Sequence, residues 1–150
     1  MKKLNNKGFT LIELLAVIVI LAIVVAITIP SVLSSINGAR KKAYKTSLNT
    51  MADWLEREYQ MVQAGDTEIA PVDTNFSSKC NLTPNTSGNV TCTIDADLIK
   101  AAGGKGGNYN LTDTNNKIYI SASNGRACVQ LASSTSGDYG TQTTTQSDGC

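Results

Sequence analysis

Apolar residues are concentrated at one end of this chain. Leu14 to Ile29 is a run of 16 residues with one polar member, Thr28. Phe9 to Ile29 is 21 residues, about 31 Å of helix at ~1.5 Å per residue, which is the thickness of a bilayer's hydrocarbon core. Past Pro30 the pattern changes. Tyr44, Leu48, Met51, Leu55, Tyr59 and Val62 recur at steps of 4, 3, 4, 4 and 3, a helical stripe. Such a stripe reads as a core face before it reads as a partner groove. Arg40, Lys41, Lys42, Lys45, Asp53, Glu56 and Glu58 take mostly the other faces. Ala64-Gly65-Asp66 supplies the stop, with Gly65 suited to the residue just past the helix end. Phe9 to Ala64 is 56 residues, about 84 Å if straight. Pro30 removes one backbone donor and is expected to kink or locally open this helix. Gly38 adds a weaker soft point.

The remainder is polar and reads as short elements. Thr67 to Asn89, with Pro71 and Pro84, reads as a long loop. Val90 to Asp95 suits a short strand, and Asp95 to Ala102 a short helix ending at Gly103. The strongest local signal is a hairpin. Ile118, Ile120 and Ala122 alternate with Tyr119 and Ser121, and Ala127, Val129 and Leu131 with Cys128 and Gln130. Asn124-Gly125 between them suits a type I′ turn. One face of that sheet can cover the Tyr44–Val62 stripe. Tyr109 to Thr112 is a candidate further strand. Residues 133–150 hold no clear element, with Tyr139 their one large apolar group. The fold class is therefore α+β: a long N-terminal helix, its second half packed against a small antiparallel sheet head.

A length of 150 residues favours a single globular unit beside the apolar run. The chain has no histidine, which removes His-based catalysis and the usual His-containing zinc sites. A net charge of +1 does not point to nucleic acid. No nucleophile–base constellation and no close, shielded pair of acids stands out, so an enzyme is not expected and no cofactor is implied. Gly103-Gly-Lys-Gly-Gly107 lacks the spacing of a phosphate loop and reads as a flexible turn. Asn75, Asn81, Asn85, Asn89 and Asn110 each open an Asn-x-Ser/Thr triplet, which a Thr- and Asn-rich chain acquires by composition. Asp138 and Asp148 make a poor calcium cluster.

The N-terminus carries the most specific information. Lys2, Lys3 and Lys7 precede the apolar run with no acid among them. A secretory signal peptide would have a shorter apolar stretch, followed by a small-x-small cleavage site. A plain anchor would have no reason for Glu13, since an acid inside a span costs on the order of 2.5–3.5 kcal/mol by insertion scales, less near the interface. The nearest cation is Lys7. Lys7-Gly8-Phe9-Thr10-Leu11-Ile12-Glu13-Leu14 resembles the prepilin signature of type IV pilins and their relatives, the type II secretion and competence pseudopilins. The resemblance covers about residues 1–60, and Pro30 matches a proline common in the family's apolar helix. Beyond residue 65 only the architecture is similar.

The resemblance implies a domain order of leader peptide 1–8, membrane-spanning and filament-core helix 9–30, amphipathic continuation 31–64 and head 65–150. It implies cleavage between Gly8 and Phe9 by a prepilin peptidase and methylation of the new amine. Phe9, Glu13 and Pro30 become assembly residues, with Glu13 of an incoming subunit facing a neighbour's N-terminal amine. The implied partners are the peptidase, an assembly ATPase with its membrane platform, the membrane before assembly, and other copies of the chain in a helical filament. The implied location is a bacterial membrane, with the head outside the cytoplasm, and then a surface pilus. Adhesion, motility, biofilm formation and DNA uptake are the family's functions. A minor pilin or a pseudopilin shares the same N-terminus. A membrane-tethered binding module that never polymerises is the alternative of another class.

Cys80, Cys92, Cys128 and Cys150 allow three pairings. Cys80–Cys92 and Cys128–Cys150 are preferred. The first closes a short loop, and the second ties back the tail, like the C-terminal disulfide loop of many pilins. Zinc is the competitor, without C-x2–4-C spacing or histidine to support it. Arg40, Lys41, Lys42 and Lys45 form a basic cluster suited to solvent, to anionic headgroups or to acids of adjacent subunits. Nucleic acid is a partner this cluster permits and the net charge does not indicate.

Overall fold

The computed structural model describes residues 9–65, 72–140 and 144–150. The leader 1–8, the start of the segment after the long helix and residues 141–143 lie outside the described residues. Helix α1 spans Leu11–Ala64. Two compact units divide the chain, 1–38 and 39–150.

In the first unit α1 begins with its own cap. Thr10 Oγ1 accepts from the Glu13 backbone N–H (3.3 Å), and Glu13 Oε2 accepts from the Thr10 backbone N–H and from Thr10 Oγ1 (2.8 Å each). This reciprocal Thr-x-x-Glu arrangement satisfies donors that the first turn leaves unpaired. Of the two expectations for Pro30, local opening does not occur: α1 runs unbroken through Pro30 and Gly38. Proline's fixed φ is itself helical, and it costs α1 one hydrogen bond to the Ala26 carbonyl while the turns on either side stay bonded.

The second unit is built on the C-terminal half of α1. Tyr44, Leu48, Met51, Leu55 and Tyr59 are buried and Val62 is half-buried against the same cluster. The helix ends at Gly65, whose φ of 68° is the left-handed conformation that terminates helices without a Cβ clash. The sheet, among the described residues, has five antiparallel strands in chain order: β1 (Cys80–Asn81), β2 (Asn89–Cys92), β3 (Lys117–Ser121), β4 (Ala127–Ala132) and β5 (Thr144–Gln146). Val90 pairs with Ile120, Ile118 with Val129, and Leu131 with Thr145. Val90, Ile118, Ile120, Ala127, Val129 and Leu131 join the α1 stripe in one core. Helix α3 (Ala96–Ala101) is capped by Asp95, whose carboxylate accepts from the Leu98 N–H at 2.8 Å, and it adds Leu98 and Ile99 to that core.

Several expectations need correction. The expected loop from Thr67 to Asn89 contains a short helix, α2 (Thr74–Lys79), and then β1. Asp73 caps α2 by accepting from the Asn75 N–H at 2.7 Å, and buried Phe76 anchors it edge-on to Trp54, with ring centroids 6.0 Å apart. One apolar anchor has no period to detect. The β3–β4 turn is not type I′, because Asn124 has no positive φ. Gly125 alone is left-handed, and its N–H reaches back to the Ser121 carbonyl at 2.8 Å. Tyr109 forms only an isolated bridge with Ser133 rather than a strand. Residues 133–150 do contain an element, β5. The glycine-rich segment turns at Gly103 and then packs on the core. Gly104 packs so closely on Ile99 and Met51 that an added Cβ would lie 2.7 Å from Ile99 Cγ2, and Gly106–Asn108 form a 3-10 turn.

Glu58 is likewise not on an outer face. It is 3% exposed. Its Oε2 accepts the Asp73 N–H at 2.8 Å, and its Oε1 lies 3.3 Å from an Arg57 guanidinium nitrogen. Glu56, on an adjoining face, accepts the Ala127 N–H at 2.9 Å and meets Arg126 at 3.4 Å. Two acids of α1 therefore pin the start of α2 and the start of β4.

Candidate functional site

The site indicated by sequence is the segment from Gly8 through Pro30. Gly8 and Lys7 lie outside the described residues. Phe9 is 92% exposed, and every large apolar side chain from there to Ile36 is exposed as well. The stretch is long and apolar enough to cross a membrane by length and composition. Water is a poor solvent for such a surface, since single soluble domains rarely expose contiguous apolar patches above a few hundred Å2. The segment needs a lipid phase or other copies of itself.

Glu13 is the one ionisable group in that segment. Among the described residues it makes no ion pair. Its carboxylate is instead held by the Thr10 N–H and hydroxyl. The spacing Thr10-Leu-Ile-Glu13 is a capping box legible in the sequence, but it stood there as an acid in search of a cation. Phe9 immediately precedes this cap. Pro30 sits 17 residues after Glu13, inside an unbroken helix. The structure thus places Phe9 and Glu13 together at the helix start and Pro30 apart from them.

The head presents a second set of tied groups. Cys80 pairs with Cys92 across β1 and β2, and Cys128 of β4 pairs with Cys150. No described cysteine is free. The tail is also fastened to α1. Asp148 Oδ1 lies 2.6 Å from Lys45 Nζ, its Oδ2 accepts from the Asn49 amide at 2.7 Å, and its backbone N–H donates to Asn49 Oδ1 at 2.9 Å. The Lys45 hydrogen bond, then that of Asn49, holds the Asp148 carboxyl below the usual carboxylate range. Lys45 of the basic cluster therefore binds the chain's own tail. Val129 N–H donates to buried Ser147 Oγ at 3.0 Å and Ser147 N–H to the Val129 carbonyl at 2.8 Å, extending the β4–β5 pairing. Asn49, Ser147 and Asp148 carried no signal in sequence, because these partners lie 18 to 103 positions away.

A tyrosine cluster lies beside this tie. Tyr44 is 4.7 Å from Tyr139 and 5.8 Å from Tyr109, ring centroid to ring centroid. The Tyr44 hydroxyl donates to the Leu131 carbonyl at 2.5 Å, and the Tyr109 hydroxyl shares a 2.6 Å hydrogen bond with Ser47. Burial pushes the Tyr44 and Tyr109 hydroxyls up, out of the range in which they would titrate in ordinary conditions. They are packing groups with satisfied polar ends.

An acid in the first turn of an exposed apolar helix, hydrogen-bonded to a threonine and preceded by phenylalanine and a basic segment, is a specific arrangement. Residues 3–29 match the family model for the prokaryotic N-terminal methylation motif. The chain carries the type IV prepilin signature. The match covers the N-terminal segment alone. Neither a curated protein nor a solved structure matches the chain. The methylation motif is the mark of pilin-like and pseudopilin chains, and it implies processing by a prepilin peptidase and assembly into pilus-type filaments.

Proposed function

We propose that this chain is the structural subunit of a type IV pilus, cleaved between Gly8 and Phe9 and polymerised through its N-terminal helix. The observation that carries the reading is the methylation motif at 3–29 on a helix whose apolar surface the described residues leave uncovered. Cleavage removes three of the 13 basic side chains and leaves a cationic amine on Phe9. In an apolar filament core, attraction between that amine and a neighbour's Glu13 is far stronger than in water. An unpaired buried carboxylate there is strongly disfavoured, so the pair sets register while apolar burial supplies adhesion. The Thr10 cap keeps Glu13 hydrogen-bonded before a neighbour arrives. An assembly ATPase and membrane platform would extract the stored subunit from the membrane. The two disulfides favour a pilus subunit over a pseudopilin.

The first test is the intact, unreduced mass of the protein from membranes carrying its own peptidase. Loss of residues 1–8, one added methyl and four missing hydrogens is the expected result. An uncut chain would overturn the reading in favour of a tethered module. Glu13→Val separates the two further: the variant should be processed but absent from filaments, whereas a tether would reach the surface unchanged.

A further inference from the structure

Three consecutive cations follow the apolar stretch. Arg40, Lys41 and Lys42 are all exposed. Among the described residues none makes an ion pair, unlike Lys45, Lys79, Lys105, Arg57 and Arg126. Arg40 lies over the Gly140 turn, which leaves it room: a Cβ there would come within 2.9 Å of its guanidinium. Consecutive helical positions turn by about 100° and rise ~1.5 Å each. The triad therefore spreads over some 200° of the helix circumference within ~3 Å of height. That is a collar at one level. A partner helix would instead be met by a stripe at i, i+4 and i+7.

A collar of charge at one level is complementary to a plane of opposite charge. With Phe9–Ile29 filling the hydrocarbon, Arg40 follows Pro30 by ten residues, about 15 Å of helix at ~1.5 Å per residue. The headgroup layer takes up some 5–8 Å of that, which leaves the collar within about one screening length, ~8–10 Å, of the outer headgroups. We propose that Arg40, Lys41 and Lys42 bind anionic phospholipid headgroups of the outer leaflet and so hold the stored subunit at a set depth. The proposal rests on the reading of the apolar helix as membrane-spanning. Lysine and arginine near an anionic surface each contribute a few-fold in affinity, lost as salt shortens the screening length.

The test uses the full chain reconstituted into phosphatidylcholine vesicles with and without phosphatidylglycerol. Alkaline-resistant co-flotation reports insertion. Amine-reactive labelling read by peptide mass reports each lysine, with Lys100 and Lys117 of the head as internal references. Labelling of Lys41 and Lys42 should fall roughly threefold or more with phosphatidylglycerol and recover in high salt. An Arg40→Gln variant should show weaker protection at both lysines. Equal labelling in both membranes, with the chain inserted, would overturn the headgroup proposal and leave the spanning helix standing. Failure to insert would overturn both. Protection by duplex DNA but not by anionic vesicles would reassign the collar to nucleic acid.

Discussion

Single polar side chains decide how the head is held together. Glu58 is the most consequential, since it is buried and accepts a backbone N–H from the segment that starts α2. Glu58→Ala should destabilise the head by about 1–3 kcal/mol, because it leaves the Asp73 N–H without a partner. Glu58→Gln, which keeps an acceptor, should cost clearly less. Chemical denaturation of the full chain in detergent measures both. Asparagine and aspartate do much of the remaining local work: Asn81, Asn85, Asn110, Asp113 and Asn124 each accept the backbone N–H two residues on. Part of the Asn-rich composition is thus turn chemistry. Two carboxylates give the head its acid sensitivity. Asp95 is held below its ordinary range by the Leu98 N–H and then Lys79, and Asp148 by Lys45 and then Asn49. Groups depressed in the folded state contribute stability above the unfolded value of about 4, and lose it as pH falls through the folded values. The melting temperature should therefore hold steady from neutral pH to about pH 5 and fall below about pH 4, more gently in Asp148→Asn.

Elements differ in how they are secured. The buried stripe of α1 and the apolar faces of β2, β3 and β4 hold each other through area. The outermost strands are short and depend on covalent and polar ties. Each disulfide closes a loop worth roughly 3 kcal/mol in the chain-entropy model. The Cys128–Cys150 bond also keeps Ser147 and β5 on β4. Replacing Cys128 and Cys150 by serine should expose the Val129 amide to hydrogen exchange and lower head stability, while Ile120, paired to Val90 of β2 and Ala127 of β4, stays protected. Loss of protection spread evenly over the sheet would contradict this division.

The whole molecule combines an exposed apolar helix with a stapled polar head, and each part suits a different solvent. Processing should change the charge of the whole. Ten basic side chains against 12 acidic ones remain once residues 1–8 are lost, so the mature protein should focus on the acidic side of neutrality and the precursor just above it. Isoelectric focusing of chains from cells with and without the peptidase checks this, and coincident bands would contradict cleavage.

Sequence alone determined the apolar helix, its second-half stripe, its stop at Gly65, the β3 and β4 segments and the prepilin signature. Each rests on local periodicity or contiguous spacing, which the chain displays without folding. Tertiary structure decided what depends on distant partners. Glu58 turned inward because Asp73 offers an N–H there. The segment 144–146 became a strand because β4 had an open edge and Cys150 a thiol to bond. Lys45 found its acid 103 residues away in Asp148. Pairings between residues far apart in the chain leave no period and no motif, because the energy that selects them exists only once the core has brought them together.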